Sequence, residues 1–351
     1  MLSSQKNPLV SICIPTYNNA RFLRESLDSI VNQTYSNKEI IVSDNASTDE
    51  TEKIVKEYVE KYKVKYYKNE KNIGAEANFT RCIELATGVF IAIYHSDDIY
   101  KPDIIDKEAE FLQKYSHVGA VFALDVQINE NGKIIGETNL PKELKTKNIY
   151  NFIEIYKSLL KNGNCFLRTP TCMARKFIYN NVGLFNGKEF GTSADLEMWL
   201  RISTKYPIGI LNEKLMKRRI SNHSYTTSYW RMRTKKAHYF LVMDYFLKLP
   251  DLMVEIEEKD WKQYQYYKDL DRAYRGRNLL IKGEIDKAKN LLNKSLSRNF
   301  IVNSLRKLSR VRQLIIVIIL IFGINIGFGK HLGNIIKLMR KRLVYKYRSL
   351  I

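Results

Sequence analysis

The sequence predicts an α/β fold, a mixed and mostly parallel sheet covered by helices, followed by a C-terminal helical region. Three observations carry that reading. Through the first 120 residues, short β-branched apolar runs alternate with stretches whose apolar residues recur at helical spacing. The intervening stretches are long enough to be crossover helices, which makes neighbouring strands parallel and buries both faces of the sheet. Beyond Arg231 the strand-like runs stop, and the spacing is helical to Leu296.

Element by element, Leu9-Val-Ser-Ile-Cys-Ile-Pro15 is the first strand, and Phe22, Leu23, Leu27, Ile30 and Val31 mark the helix after it. Glu39-Ile-Ile-Val-Ser43 is the second strand. Ser47-Thr-Asp-Glu50 reads as a capping box, whose end residues satisfy each other's backbone N–H groups, opening a helix to about Tyr62. A strand at Lys63-Val-Lys-Tyr-Tyr67, a helix from Ala75 to Ala86 and the apolar strand Val89-Phe-Ile-Ala-Ile-Tyr94 follow. A helix from Pro102 to Tyr115, a strand from Val118 to Val126 and a hairpin turn at Glu130-Asn-Gly132 extend the sheet. Helices and polar loops are mixed as far as Thr226. A pair of helices then meets at Gly283.

Composition narrows the class. With 351 residues, 45% of them hydrophobic and 27% charged, the chain can bury a full core and is not globally disordered. Its net charge of +21 calls for an anionic partner without choosing among nucleic acid, membrane lipid and phosphate. The placement is more telling: 11 basic residues and no acidic ones lie between Ile301 and Ile351. The four cysteines have no metal-type spacing and the start has no signal-peptide pattern, which points to a reduced, cytoplasmic protein.

In an open α/β sheet, ligands sit beyond the carboxyl ends of the strands. The residues expected there are Pro15-Thr-Tyr17-Asn18, Asp44-Asn45, Asn69 to Asn72 and Ser96-Asp97-Asp98. Such a set suits a nucleotide and a divalent cation, since adjacent carboxylates repel unless a cation or tight hydrogen bonding supports them. Asp97-Asp98 before Pro102 also fits a helix cap or turn.

Taken together, Val10-Ser-Ile-Cys-Ile-Pro-Thr-Tyr-Asn18, Val42-Ser-Asp-Asn-Ala-Ser-Thr-Asp-Glu-Thr51, Asn72-Ile-Gly74 and Tyr94-His-Ser-Asp-Asp98 resemble, in order, the family 2 glycosyltransferases of GT-A fold, a Rossmann-like architecture. Ala194-Asp-Leu-Glu-Met-Trp-Leu-Arg201 resembles the segment carrying that family's catalytic base. Arg219 to Ser224 resembles its arginine-containing loop over the donor. The likeness runs from about Leu9 to Thr226.

The resemblance implies that Tyr17 stacks on the donor nucleobase, with Pro15 and Asn18 in the same pocket and Asn72 nearby. Asp44 accepts a hydrogen bond from the base, Asp97 contacts the ribose, and Asp98 holds Mn²⁺ or Mg²⁺ at the diphosphate. Arg219 closes over the donor. Asp195 is the general base of a one-step, inverting hexosyl transfer, with Glu197 as the rival base and Trp199 as core. The implied partners are a nucleotide-sugar donor and a saccharide acceptor, lipid-diphosphate-linked in the bacterial cell-surface polysaccharide setting, and not nucleic acid. Two departures stand out: His95 occupies a position often acidic in the family, and the Gln-x-x-Arg-Trp signature of processive synthases is absent, so one sugar per acceptor is expected. His223 has two readings, within reach of the metal or, more commonly for a lone His in a basic loop, a hydrogen-bonding or phosphate-facing residue. A nucleotidyltransferase of related fold should carry a Gly-rich basic loop after its first strand, which Pro15-Thr-Tyr-Asn18 is not. A non-enzymatic basic membrane- or nucleic-acid-binding protein is the reading that rests on charge alone.

The basic run Lys214, Lys217, Arg218, Arg219, Arg231, Arg233, Lys235 and Lys236 is opposed only by Glu213, and a diphosphate gives it a purpose. Three regions are expected: 1–226 as the GT-A domain, 227–300 as a helical extension, and 301–351 as a basic apolar tail on an anionic membrane surface. Gln313 to Gly329 carries no charge, and Leu314–Phe328 is short for a hydrocarbon layer of roughly 30 Å. A crossing, a dip, a helix on the surface and a buried helix all remain open, with Ile335 to Tyr347 as a second basic amphipathic helix. The expected location is the cytoplasmic face of the inner membrane, peripheral or monotopic.

Overall fold

The computed structural model describes residues 7–221 and 232–342, with side chains to residue 339. The described chain divides into two compact units, one of residues 1–158 and 164–220, the other of residues 159–163 and 221–351.

The first unit is built on a sheet of ten strands. These are β1 (Val10–Thr16), β2 (Lys38–Asp44), β3 (Lys65–Lys68), β4 (Phe90–Ile93), β5 (Ile99–Tyr100), β6 (Ala120–Ile128), β7 (Ile134–Glu137), β8 (Ile149–Tyr150), β9 (Cys172–Arg175) and β10 (Ile208–Arg219). Their order is β3-β2-β1-β4-β9-β6-β10-β5, with β7 on β6 and β8 on β10. The β3-β2-β1-β4 run and the β6–β10 pair are parallel, whereas β9 lies antiparallel between β4 and β6. This is the expected mixed, mostly parallel sheet. Consecutive residues such as Ile12 and Cys13, Ile41 and Val42, and Ile91 and Ala92 are buried alike, as strands covered on both faces require.

Helices α1 (Ala20–Val31), α2 (Thr51–Tyr62), α3 (Ala75–Leu85) and α4 (Ile104–Lys114) are the crossovers. On α1 the buried residues Leu23, Leu27 and Ile30 fall at helical spacing, which made that element legible. The capping box is a correction. α2 begins at Thr51 with no side-chain cap, because the Ser47 hydroxyl accepts from the Asn18 N–H at 2.9 Å instead. The hairpin at Asn131-Gly132 joins β6 to β7 as expected, with Gly132 at φ +77°. After it come α5 (Phe152–Asn162), α6 (Lys176–Val182), α7 (Gly187–Phe190) and α8 (Ala194–Ser203).

The second unit is helical. It contains α9 (His238–Phe246), α10 (Pro250–Glu255), α11 (Glu258–Ile281), α12 (Ile285–Ser295), α13 (Arg298–Leu305), α14 (Leu308–Asn325) and α15 (Gly329–Arg342). Gly283 at φ +81° makes the predicted turn between α11 and α12. Gly276 lets the two helices close up, since a Cβ there would sit 2.7 Å from Leu292 Cγ. Leu314, Val317, Leu320 and Ile324 form the buried side of α14, and Gly333 on α15 passes so near the Leu280 carbonyl that no side chain fits. The sequence suggested a tail separate from the 227–300 helices; the described helices of both groups form one unit. His223, Trp230, Arg231 and the stretch beyond residue 342, including Tyr347, lie outside the described residues.

Candidate active site

The parallel strands end along one edge, which gathers the loops that follow them. Thr16 lies in register with Asp44, the Asn45 N–H donates to the Thr16 carbonyl, and the Asn69 N–H donates to the Asp44 carbonyl. Asn18, in the left-handed region at φ +47°, fixes the turn after β1 by accepting from the Thr48 N–H at 2.7 Å. That turn leaves Pro15 half-buried and presents Tyr17 with 48% of its surface exposed, an aromatic face free for stacking.

Asp44 and Asn72 are placed differently from expectation. The Asp44 carboxylate is fully buried, accepting from the Ser47 N–H at 2.9 Å and from the Tyr66 hydroxyl at 2.7 Å. Burial and that bond hold the Tyr66 phenol far above its usual pKa, so it remains a donor. Asn72 accepts from Asn45 and from the Gly74 N–H, both at 2.9 Å, and so shapes its own loop. Asp44 is thus committed to buried partners, while the exposed Asn72 is committed to its own loop.

Beyond β4, His95, Asp97 and Asp98 bring one potential ligand atom each to within 4.8 Å of one another. Asp98 is 1% exposed; its Oδ1 accepts from the Arg219 N–H at 2.7 Å, while its buried Oδ2 has no hydrogen-bond partner among the described residues. His95 Nδ1 stands 3.9 Å from that oxygen. Burial, then the neighbouring Asp97 charge, pushes the Asp98 carboxyl well up, and burial pushes the His95 imidazole down to its neutral form. An orphaned buried carboxylate oxygen beside a neutral imidazole and a second carboxylate is what a divalent cation satisfies, and the mixed N/O set suits Mn²⁺ better than Mg²⁺. Asp97, expected at a ribose, brings a carboxylate oxygen to the same cluster. His95, read as a lost acid, adds a donor to it.

Arg219 is a further correction. It is 6% exposed, and its guanidinium donates to the Asp97 carbonyl at 3.0 Å, to the Asn129 and Glu130 carbonyls, and to Glu25, over the Phe22 ring. It clamps the Asp97-Asp98 turn and has no fork free for a diphosphate. The basic run likewise divides: Lys214 pairs with Glu137, Arg218 with Asp125, Arg233 with Asp271 and Lys236 with Asp244.

Asp195 stands in the first turn of α8. Its Oδ1 accepts from the Leu196 N–H at 2.7 Å and its Oδ2 from the Thr169 hydroxyl at 3.3 Å. Burial raises its pKa. Glu197 is occupied otherwise: the Arg201 guanidinium donates to its two oxygens at 2.7 and 3.0 Å, and also to the Val182 and Leu184 carbonyls. Trp199 is core, edge-on to Phe122 and Phe185.

Three charged residues escaped the sequence reading or were read differently. Asp125 on β6, 1% exposed, accepts from Thr138 at 2.7 Å and from Arg218 Nε at 3.1 Å, and Arg168 Nε lies 4.0 Å from it. Arg168 reaches this edge because it precedes β9, whose antiparallel direction starts it where the parallel strands end. The available signal was an arginine in a polar stretch directly before a short apolar strand.

Comparison with known proteins agrees with this fold. The model of Glycosyl transferase family 2 matches residues 11–183. An uncharacterized glycosyltransferase of Methanocaldococcus jannaschii is 32% identical over 247 residues, 69% of this chain and 81% of that one. The putative teichuronic acid biosynthesis glycosyltransferase TuaG of Bacillus subtilis is 26% identical over 232 residues, covering 65% and 85% of the two chains. Among solved structures, the mannosyltransferase PcManGT of Pyrobaculum calidifontis, in complex with GDP-Man and Mn²⁺, superposes with a TM-score of 0.53 at 16% identity, over 96% of this chain and 88% of its own. With its fold, its strand-end site and these relatives, the chain is a glycosyltransferase and belongs to glycosyl transferase family 2.

Proposed function

We propose that the protein transfers one sugar from a nucleotide-diphosphate-sugar donor to a hydroxyl of a saccharide, in the assembly of a cell-surface polysaccharide. The observation that carries this reading is a pair of acidic centres on one sheet edge: a buried Asp98 beside His95 and Asp97 with one oxygen unpartnered among the described residues, and an Asp195 with no competing ion pair among them. Tyr17 stacks on the donor base. His95, Asp97 and Asp98 would hold the cation, which offsets diphosphate charge when bound. Asp195 takes the proton of the acceptor hydroxyl as its oxygen bonds to the anomeric carbon; the bond from that carbon to the diphosphate breaks, and the leaving group departs with the electron pair. A single displacement inverts the anomeric centre. Glu197, held by Arg201, is no rival.

The polysaccharide setting is supported by the teichuronic acid named for one relative. A lipid-linked acceptor at an anionic inner-membrane face is supported by α14. Opposite its buried side it exposes Ile315, Ile318, Ile319 and Phe322, an apolar stripe at i, i+3, i+4 and i+7. Arg310 and Arg312 precede the stripe and Lys330 follows it. A helix with one side packed on its own unit and the other apolar and flanked by cations suits the headgroup boundary.

Titration of the full chain with UDP- and GDP-sugars, with and without Mn²⁺, tests the donor assignment. Mn²⁺-dependent binding that Asp98→Asn weakens at least tenfold is expected; binding indifferent to both the metal and Asp98 contradicts it.

A further inference from the structure

Arg168 and Arg218 share a single anchor. The buried Asp125 carboxylate holds Arg218 through Nε at 3.1 Å and stands 4.0 Å from Arg168 Nε, which has no hydrogen-bond partner among the described residues. A third group, the Thr138 hydroxyl, takes part of what one carboxylate can accept. Two guanidinium charges therefore meet one buried counter-charge. At neither arginine do the terminal nitrogens donate to any other group among the described residues. Both side chains are reachable, with 31% and 19% of their surface open. Burial, then the like charge of Arg218, pushes Arg168 down to about 10, so it stays cationic at neutral pH. Planar forks fixed at one end and unsatisfied at the other match an oxyanion bidentately.

Position decides what that oxyanion belongs to. Arg168 directly precedes Thr169, whose hydroxyl bonds Asp195, and its charge is felt at Asp195. Arg168 thus lies on the side where the acceptor hydroxyl is deprotonated. Arg218, next to the Arg219 N–H that bonds Asp98, makes its charge felt at the His95-Asp97-Asp98 cluster where the donor diphosphate would sit. An anion held by both forks therefore belongs to an acceptor seated against the donor.

We infer that Arg168 and Arg218 form an oxyanion subsite that selects an acceptor carrying a phosphate or carboxylate close to its reacting hydroxyl. This rests on the transferase reading. The anion sits in the fork, the neighbouring hydroxyl is held toward Asp195, and neutral saccharides leave two guanidinium forks without partners, a loss that disfavours them.

The test uses the full chain saturated with Mn²⁺ and whichever of UDP and GDP binds. Calorimetric titration compares glycerol 3-phosphate and glucuronate with glycerol and glucose, the first two distinguishing a phosphate from a carboxylate. At least one anion is expected to bind tenfold or more tighter than its neutral counterpart. Arg168→Gln should erase that preference while the nucleoside diphosphate affinity moves less than twofold, and Arg168→Lys, which keeps charge but loses the fork, should restore only part. Equal binding of charged and neutral probes to a folded wild type overturns the proposal. So does competition between anion and nucleotide, which gives the fork to the donor. Failure of both nucleotides to bind with Mn²⁺ defeats the donor reading itself and is seen before any probe is added.

Discussion

Asp195 and Glu197 stand two positions apart on α8, and their surroundings give them different work. Glu197 is 3% exposed and bidentate to Arg201, so removing its charge strands a guanidinium that also holds the Val182 and Leu184 carbonyls. Glu197→Gln should destabilise the protein by about 3 kcal/mol, read as a lowered Tm, while the folded fraction retains transfer. Loss of transfer at unchanged stability would return Glu197 to the chemistry. For Asp195, burial lifts the pKa above the ordinary 3.8. A base must be ionised to accept a proton, so transfer should decline as pH falls through that raised value, with an acid limb above the usual aspartate range in kcat against pH. The sequence named Asp195 as the base and left Glu197 as its rival, because the i,i+4 spacing of Glu197 and Arg201 does not say whether the fork closes on the carboxylate. His95 teaches the same point in reverse: compared by residue type it looked like a missing acid, and in space its imidazole joins Asp97 and Asp98.

At the scale of elements, strands and helices were legible because their apolar spacing is set by burial, and their observed ends differ from the expected ones by one or two residues at β1, β2, β4 and α4. Loops were not. Ser47 has the right type for a cap, yet a long-range bond to Asn18 claims it. Glu39 at the start of β2 is the strongest example of such tertiary competition. Burial alone would raise its pKa, but Lys65, Ser11 and Thr87 together hold it near 2, joining β1, β2, β3 and the loop before β4. A carboxylate depressed from 4.5 to about 2 contributes stability that is full above pH 4.5 and lost as the pH falls toward 2. Glu39→Gln should cost about 1–3 kcal/mol at neutral pH and flatten the acid limb of stability, measured by denaturant unfolding at pH 7 and pH 3. An unchanged acid limb would show that Glu39 is not its source.

For the whole molecule, the net charge of +21 had suggested one basic surface; the described residues divide it into separate uses. Arg219 braces the Asp97-Asp98 turn, Arg168 and Arg218 stand over Asp125, and the tail cations flank the exposed stripe of α14. The sequence suggested three regions with a first boundary at 226, whereas contacts distant in sequence group the described chain into two units, the first ending at Ile220 and the second taking in residues 159–163 of α5. Ile318→Ser combined with Phe322→Ser should lower binding to anionic vesicles at least tenfold and shift stability by less than about 1 kcal/mol, because both side chains are about half exposed or more. Flotation of full chain and variant with equal yield would remove α14 from membrane contact. The central claim, a single-displacement sugar transfer with Asp195 as base, is tested most directly by Asp195→Asn in the full chain with Mn²⁺, donor and acceptor. Donor affinity within about twofold of wild type with transfer lowered at least a thousandfold is the predicted result; transfer near the wild-type rate would contradict it.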